Sequence, residues 1–195
     1  MNKLLARKIE QKIKAAKEKR LGKLFFLIGL IAFISFIYSG RQYNLTIVKF
    51  EYIVAVHIFS GIIFGILTLK YKEKLDDKDF NIFRHFIWTT VIYGEIFCAL
   101  LFMANNLFAD KNEYELSCQI IERNITHKSS TNYATISIQD FEKDIYFPNN
   151  EMSELNNANN VTLTLCDGLC GFPIIINSKL TRQTENNKEQ LRVFS

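Results

Sequence analysis

At 195 residues with 48% hydrophobic and 13% aromatic content, the chain is too apolar to be disordered and long enough for one or two domains. Its net charge of +4 averages two unlike regions: nine lysines and arginines precede Leu24, whereas residues 109–195 hold eight basic and twelve acidic residues. Positive charge so placed belongs to membrane topology and anionic lipid headgroups, and no nucleic-acid-binding module is visible beside it.

Residues 2–20, "NKLLARKIEQKIKAAKEKR", are good helix formers, with Leu5, Ile9, Ile13 and Ala16 on one side. Residues 1–23 therefore read as a basic amphipathic cytoplasmic helix. It either lies on anionic headgroups, at about 1 kcal/mol per Lys or Arg, or serves only to set topology.

Three apolar runs follow, 24–39, 52–69 and 86–108. Each is near the roughly 20 residues a helix needs to cross about 30 Å of hydrocarbon. None keeps a polar face wide enough for a soluble amphipathic helix. The first is read as retained rather than as a signal peptide, because its basic region is overlong and no small-residue cleavage site follows it.

Five basic residues in the 70–85 loop against only Arg41 and Lys49 in the 40–51 loop orient the chain. The N-terminus and the second loop are expected in the cytoplasm. The region after the third run is then expected to be periplasmic or extracellular, in a protein of the inner (plasma) membrane.

Two ionisable residues interrupt the runs. His57 and Glu95 each carry an insertion cost, about 2.5–3.5 kcal/mol at the helix centre for an acid, so each is expected to face a partner or a cavity. A proton or ion relay competes with a polar lock between helices, the carboxyl hydrogen-bonded to Tyr93, Thr68 or a partner's helix. Gly61 and Gly65, spaced as GxxxG, favour close helix approach within the chain or between copies.

After Phe108 the hydrophobic period changes from 3.6 to 2. Tyr114, Leu116, Cys118 and Ile120 alternate with polar residues as one half-buried strand. "YATISIQ" and "DIYF" predict a hairpin turning at "DFEK", "PNNEMSELNNANN" a loop, and "VTLTL" and "FPIII" two more strands. About five strands make residues 109–180 a small antiparallel barrel or sandwich near the lower size limit for an unaided core. Residues 181–195 form a polar tail. The fold class expected is membrane α+β: three transmembrane helices followed by a small all-β exported domain.

Cys166 and Cys170 flank an Asp-Gly turn in "CDGLCG". Their three-residue spacing in an all-β region is wrong for a thioredoxin-type pair. A zinc site would find only Cys118 and His127 nearby, so no metal or other cofactor is expected. A disulfide between Cys166 and Cys170 is the favoured reading, worth about 2 kcal/mol. Pairing of either with Cys118 would close a longer loop worth about 4 kcal/mol, and Cys118 also fits a buried thiol. The sequons at Asn44, Asn124 and Asn160 fall on the expected outer side, and chance accounts for them in so asparagine-rich a chain.

No nucleophile elbow, P-loop, dinucleotide fingerprint or zinc-protease helix is present. The sequence therefore predicts a non-enzymatic multi-pass protein. It anchors a small exported β domain for protein interaction or envelope assembly, with a protein partner or a second copy of itself. The alternatives are an oligomeric transporter or channel subunit using His57 and Glu95, and a membrane-anchored thiol oxidoreductase using Cys166 and Cys170.

Overall fold

A computed structural model describes residues 3–73, 81–125, 132–138 and 140–182. The side chains of Leu5, Ile9 and Ile13 lie outside what is described, as do His127, most of the second loop and residues 183–195.

The helical part consists of α1 (Lys3–Asn44), α2 (Phe50–Glu73) and a third rod. That rod is α3 (Ile82–Thr89), a five-residue π-helical segment (Thr90–Gly94) and α4 (Glu95–Leu107). Three stretches, Gly22–Asn44, Phe50–Leu69 and Ile82–Leu107, are long and apolar enough to cross a membrane.

The separate N-terminal helix and first span expected from the sequence are one continuous 42-residue helix. Nothing between Arg20 and Leu24 breaks it, and the single Gly22 costs only about 1 kcal/mol relative to alanine. Asn81 starts α3, its side-chain oxygen accepting a hydrogen bond from Arg84 N at 3.1 Å. The π segment widens one turn of the third rod between Thr90 and Gly94.

The remainder is an antiparallel sheet: β1 (Glu113–Asn124), β2 (Asn132–Ile138), β3 (Phe141–Phe147), β4 (Asn160–Cys166) and β5 (Ile174–Thr181), in the order β3-β2-β1-β4-β5. It is curled into a half-barrel rather than a sandwich, for a reason visible in β1. The first half of β1 pairs β4, from Glu113 opposite Cys166 to Gln119 opposite Asn160. Its second half pairs β2, from Ile120 opposite Ile136 to Asn124 opposite Tyr133. A register shift between Ile120 and Glu122 separates the halves and adds local twist, so the sheet coils around its concave face.

That face holds the core: Ala134, Ile136, Ile145, Val161, Leu163 and Leu165 are buried on alternating positions. The "PNNEMSELNNANN" stretch, expected to be a loop, contains a 3₁₀ turn (Asn149–Glu151) and a short helix, α5 (Met152–Asn157). Leu155, fully buried, plugs the core from this helix, and burying one leucine contributes roughly 2 kcal/mol. The hairpin turn is also tighter than expected, with Ile138 opposite Phe141.

By compactness the chain forms two units. One comprises the residues up to Ser39 with Val54–Leu100; the other comprises Gly40–Ile53 with the described residues from Leu101 onward. The second unit thus contains the connection between α1 and α2 as well as the sheet.

Candidate functional site

In the helical unit, glycines let α2 approach the third rod. A Cβ on Gly61 would stand 2.3 Å from Thr90 Cα, and one on Gly65 would collide with Phe86 at 2.6 Å. The GxxxG pair therefore packs within the chain. Gly94, which sequence reasoning missed, does the same from the other side, lying against the His57 backbone carbonyl.

This close approach brings the two expected polar residues together. His57 Nδ1 lies 3.5 Å from Glu95 Oε2, both groups largely covered. Of the other expected partners of Glu95, Thr68 directs its hydroxyl elsewhere. The Thr68 hydroxyl donates to Phe64 O at 2.6 Å, and the Tyr93 ring stacks on Phe64 at 5.2 Å.

Sequence reasoning also missed His85, which it counted with the second loop. His85 is buried, its Nε2 3.0 Å from Gly65 O and 3.3 Å from Thr68 Oγ1, and the carbonyl assigns the ring proton to Nε2. Eight residues separate His57 from Gly65, about 12 Å along α2, so the two histidines occupy different levels.

In the sheet-bearing unit, Cys166 and Cys170 are both free thiols, Cys166 buried and Cys170 exposed. Burial pushes the Cys166 thiol above its ordinary value, and the carboxylates of Glu113, Asp167 and Asp110 add to this. An attacking thiolate needs the opposite, an electropositive setting. Cys118 is likewise buried and free, its thiol raised by burial.

The turn between the cysteines is held by an amide. Asn105, fully buried in the last turn of α4, accepts from Cys170 N through Oδ1 at 3.0 Å and donates from Nδ2 to Phe172 O at 3.0 Å. Its backbone carbonyl accepts from Leu169 N. Gly168 makes room, since a Cβ there would fall 2.2 Å from the Asn105 amide nitrogen. Gly171, at φ +76°, takes the left-handed turn that closes the loop, donating to Gly168 O at 2.9 Å. The signal for Asn105 was present, as two asparagines at the end of an apolar run.

The α1–α2 connection completes the half-barrel. Ile47 N donates to Pro173 O and Ile175 N to Leu45 O, both at 2.8 Å, so Thr46 pairs antiparallel with Ile174 at the edge of β5. On the other side Lys49 pairs with Asp140 at the β2–β3 turn. Lys143 of β3 donates to Tyr43 O at 2.6 Å, with its ammonium 3.9 Å from the centre of the Tyr43 ring. Residues 43–49 therefore strap the gap between the edges β3 and β5, burying Thr46, Ile47 and Val48.

Two charge effects follow. The hydrogen-bonded Lys49 ammonium holds the Asp140 carboxyl below its ordinary value. Burial pulls the Lys143 ammonium down to about 8, with Asp144 partly opposing.

Between the strap and the sheet an open cleft of about 590 Å³ remains, lined by apolar Leu116, Leu165 and Ile138 and by Lys49, Asp140, Tyr52 and Tyr114. Tyr114 donates to Asp167 Oδ1 at 3.0 Å, tying β1 to the cysteine loop.

No protein family, characterised protein or solved structure matches this chain.

Proposed function

We propose that this chain is a non-enzymatic three-pass protein of the inner (plasma) membrane, whose helices anchor a half-barrel domain on the outer surface for binding another envelope protein. The N-terminus and second loop face the cytoplasm, and the basic start of α1 meets anionic headgroups. The observation that carries the reading is the strap. The connection between two apolar helices is itself part of the domain's fold, which supports a domain held by those helices.

Supporting it, Phe26, Phe33, Phe59, Leu67 and Phe83 lie on the outside of the helices, a surface that water disfavours and hydrocarbon accepts. Beyond Ile175 the outer edge of β5 carries exposed Ile176 and, among the described residues, pairs with no further strand, which favours strand addition.

The test is purification of the tagged chain from its host in mild detergent, with identification of companions and of particle mass. A stoichiometric companion that Ile176→Lys releases, without loss of the folded chain, is the expected result. A homo-oligomer with no companion would overturn the interaction reading.

The His57–Glu95 contact favours a second reading, a proton-conducting oligomer. It expects Glu95→Gln to abolish proton flux into vesicles, whereas a polar lock leaves flux at background in both proteins. For a membrane-anchored thiol oxidoreductase, the buried and raised Cys166 thiol is poor support.

A further inference from the structure

The strapped half-barrel is packed unevenly. On the concave face of β1, Cys118 and Ile120 are buried in the core under Leu155, but Leu116 and Tyr114, the next positions on the same face, stay partly exposed. They face the cleft of about 590 Å³, a volume within the roughly 300–1,000 Å³ of small-molecule sites. Its apolar side is continuous with the core through Leu165 and Ile138, so an apolar occupant there would extend the core instead of water ending it.

The rim is specific in another way. Lys49 and Asp140 present one positive and one negative charge side by side, both reached by solvent. An anionic headgroup would meet repulsion from Asp140. A headgroup carrying both a phosphate and an ammonium joins the Lys49–Asp140 pair as a four-charge cluster, Lys49 also taking the phosphate and Asp140 also the ammonium.

Two residues of the cleft lie at the start of an apolar helix. Lys49 immediately precedes α2, and Tyr52 is two residues beyond Phe50, about 3 Å along the helix axis. Tyrosine at such a position is the usual residue of the membrane–water interface.

We propose that the cleft between the 43–49 strap and the half-barrel binds a zwitterionic glycerophospholipid from the outer leaflet, its ammonium-bearing phosphodiester on Lys49 and Asp140 and the start of one acyl chain over Leu116 and Leu165. The site rests on the membrane reading above. It makes the β domain sensitive to the lipid beside it, because the occupant touches the strap that completes the domain.

The test is native mass spectrometry of the full chain released from nanodiscs made of equal parts phosphatidylethanolamine and phosphatidylglycerol with identical acyl chains. The expected result is a retained single adduct of phosphatidylethanolamine, favoured about tenfold over phosphatidylglycerol, equivalent to about 1.4 kcal/mol. Leu116→Trp, which fills the cleft, should remove the adduct while the chain still unfolds in one cooperative transition. Should that variant fail to fold, Lys49→Ala with Asp140→Ala, confined to the rim, should abolish the headgroup preference.

Equal retention of the two lipids, or a preference that survives the rim variant, overturns the proposal. A dimer that Leu116→Trp dissociates would place a second copy in the cleft and overturn it equally. Resistance of the chain to alkaline carbonate extraction reports the membrane reading separately, so failure of the lipid site and failure of that reading are distinguishable.

Discussion

Asn105 shows how one side chain does the work expected of a disulfide. The Cys166–Cys170 turn needed closing, and a buried carboxamide supplies an acceptor and a donor at once, each 3.0 Å from its backbone partner. Asn105→Ala strands these groups, at about 1–3 kcal/mol for an unsatisfied buried partner. Denaturant unfolding in detergent should show a loss of about 2 kcal/mol, while Cys170→Ser, which removes no such bond, should change stability by less than about 0.5 kcal/mol. Comparable losses in the two variants would return the staple to the thiols.

Lys143 makes a second prediction at the same scale. Its pKa falls from the ordinary 10.5 to about 8 on folding, so across that window the unfolded chain binds more protons and stability rises with pH. Lys143→Met abolishes the titration. The stability difference between wild type and variant should therefore shift in favour of wild type from pH 8 toward 10, by up to about 1.4 kcal/mol per unit. A difference flat in pH would show the ammonium to be solvated.

At the scale of elements, the connection between α1 and α2 belongs to the sheet. Thr46 pairs with Ile174, and Ile47 joins the core. Residues 109–182 expressed alone lose this strap and keep an uncovered edge, the state that favours aggregation. The fragment should lack a cooperative transition in near-ultraviolet circular dichroism and should gain one when residues 40–53 are joined to it through a flexible linker. A cooperative fragment without the strap would mean that the half-barrel is self-sufficient. The close crossing of α2 and the third rod is a matter of elements too. Gly61, Gly65 and Gly94 are all used, and the His57–Glu95 contact is a consequence of that approach.

For the whole molecule, the decisive property is sidedness. Cys170 is exposed, whereas Cys98, Cys118 and Cys166 are buried, so the native chain carries its own reporter. A membrane-impermeant maleimide added to intact spheroplasts should label Cys170, and Cys170→Ser should abolish the signal. Labelling only after lysis would reverse the orientation drawn from the lysines and arginines.

The sequence alone determined three long apolar helices, the change to a period of two after Phe108, and the existence of five strands, although β3 begins at Phe141 inside the expected turn and β5 runs on to Thr181. These are local properties, carried by composition and periodicity. The α5 helix escaped because six residues with one buried leucine have no readable period, and the two N-terminal helices merged because nothing between them interrupts hydrogen bonding. Which polar residues matter was legible only in part. His57 and Glu95 stood out as charges in apolar runs, but His85 and Asn105 take their roles from partners 20 and 65 positions away. Only the tertiary structure decided that the sheet is a half-barrel, that a helix connection completes it, and that an amide holds the cysteine turn. Each depends on residues distant in sequence meeting at a few ångströms, and such meetings leave no periodic trace in the chain.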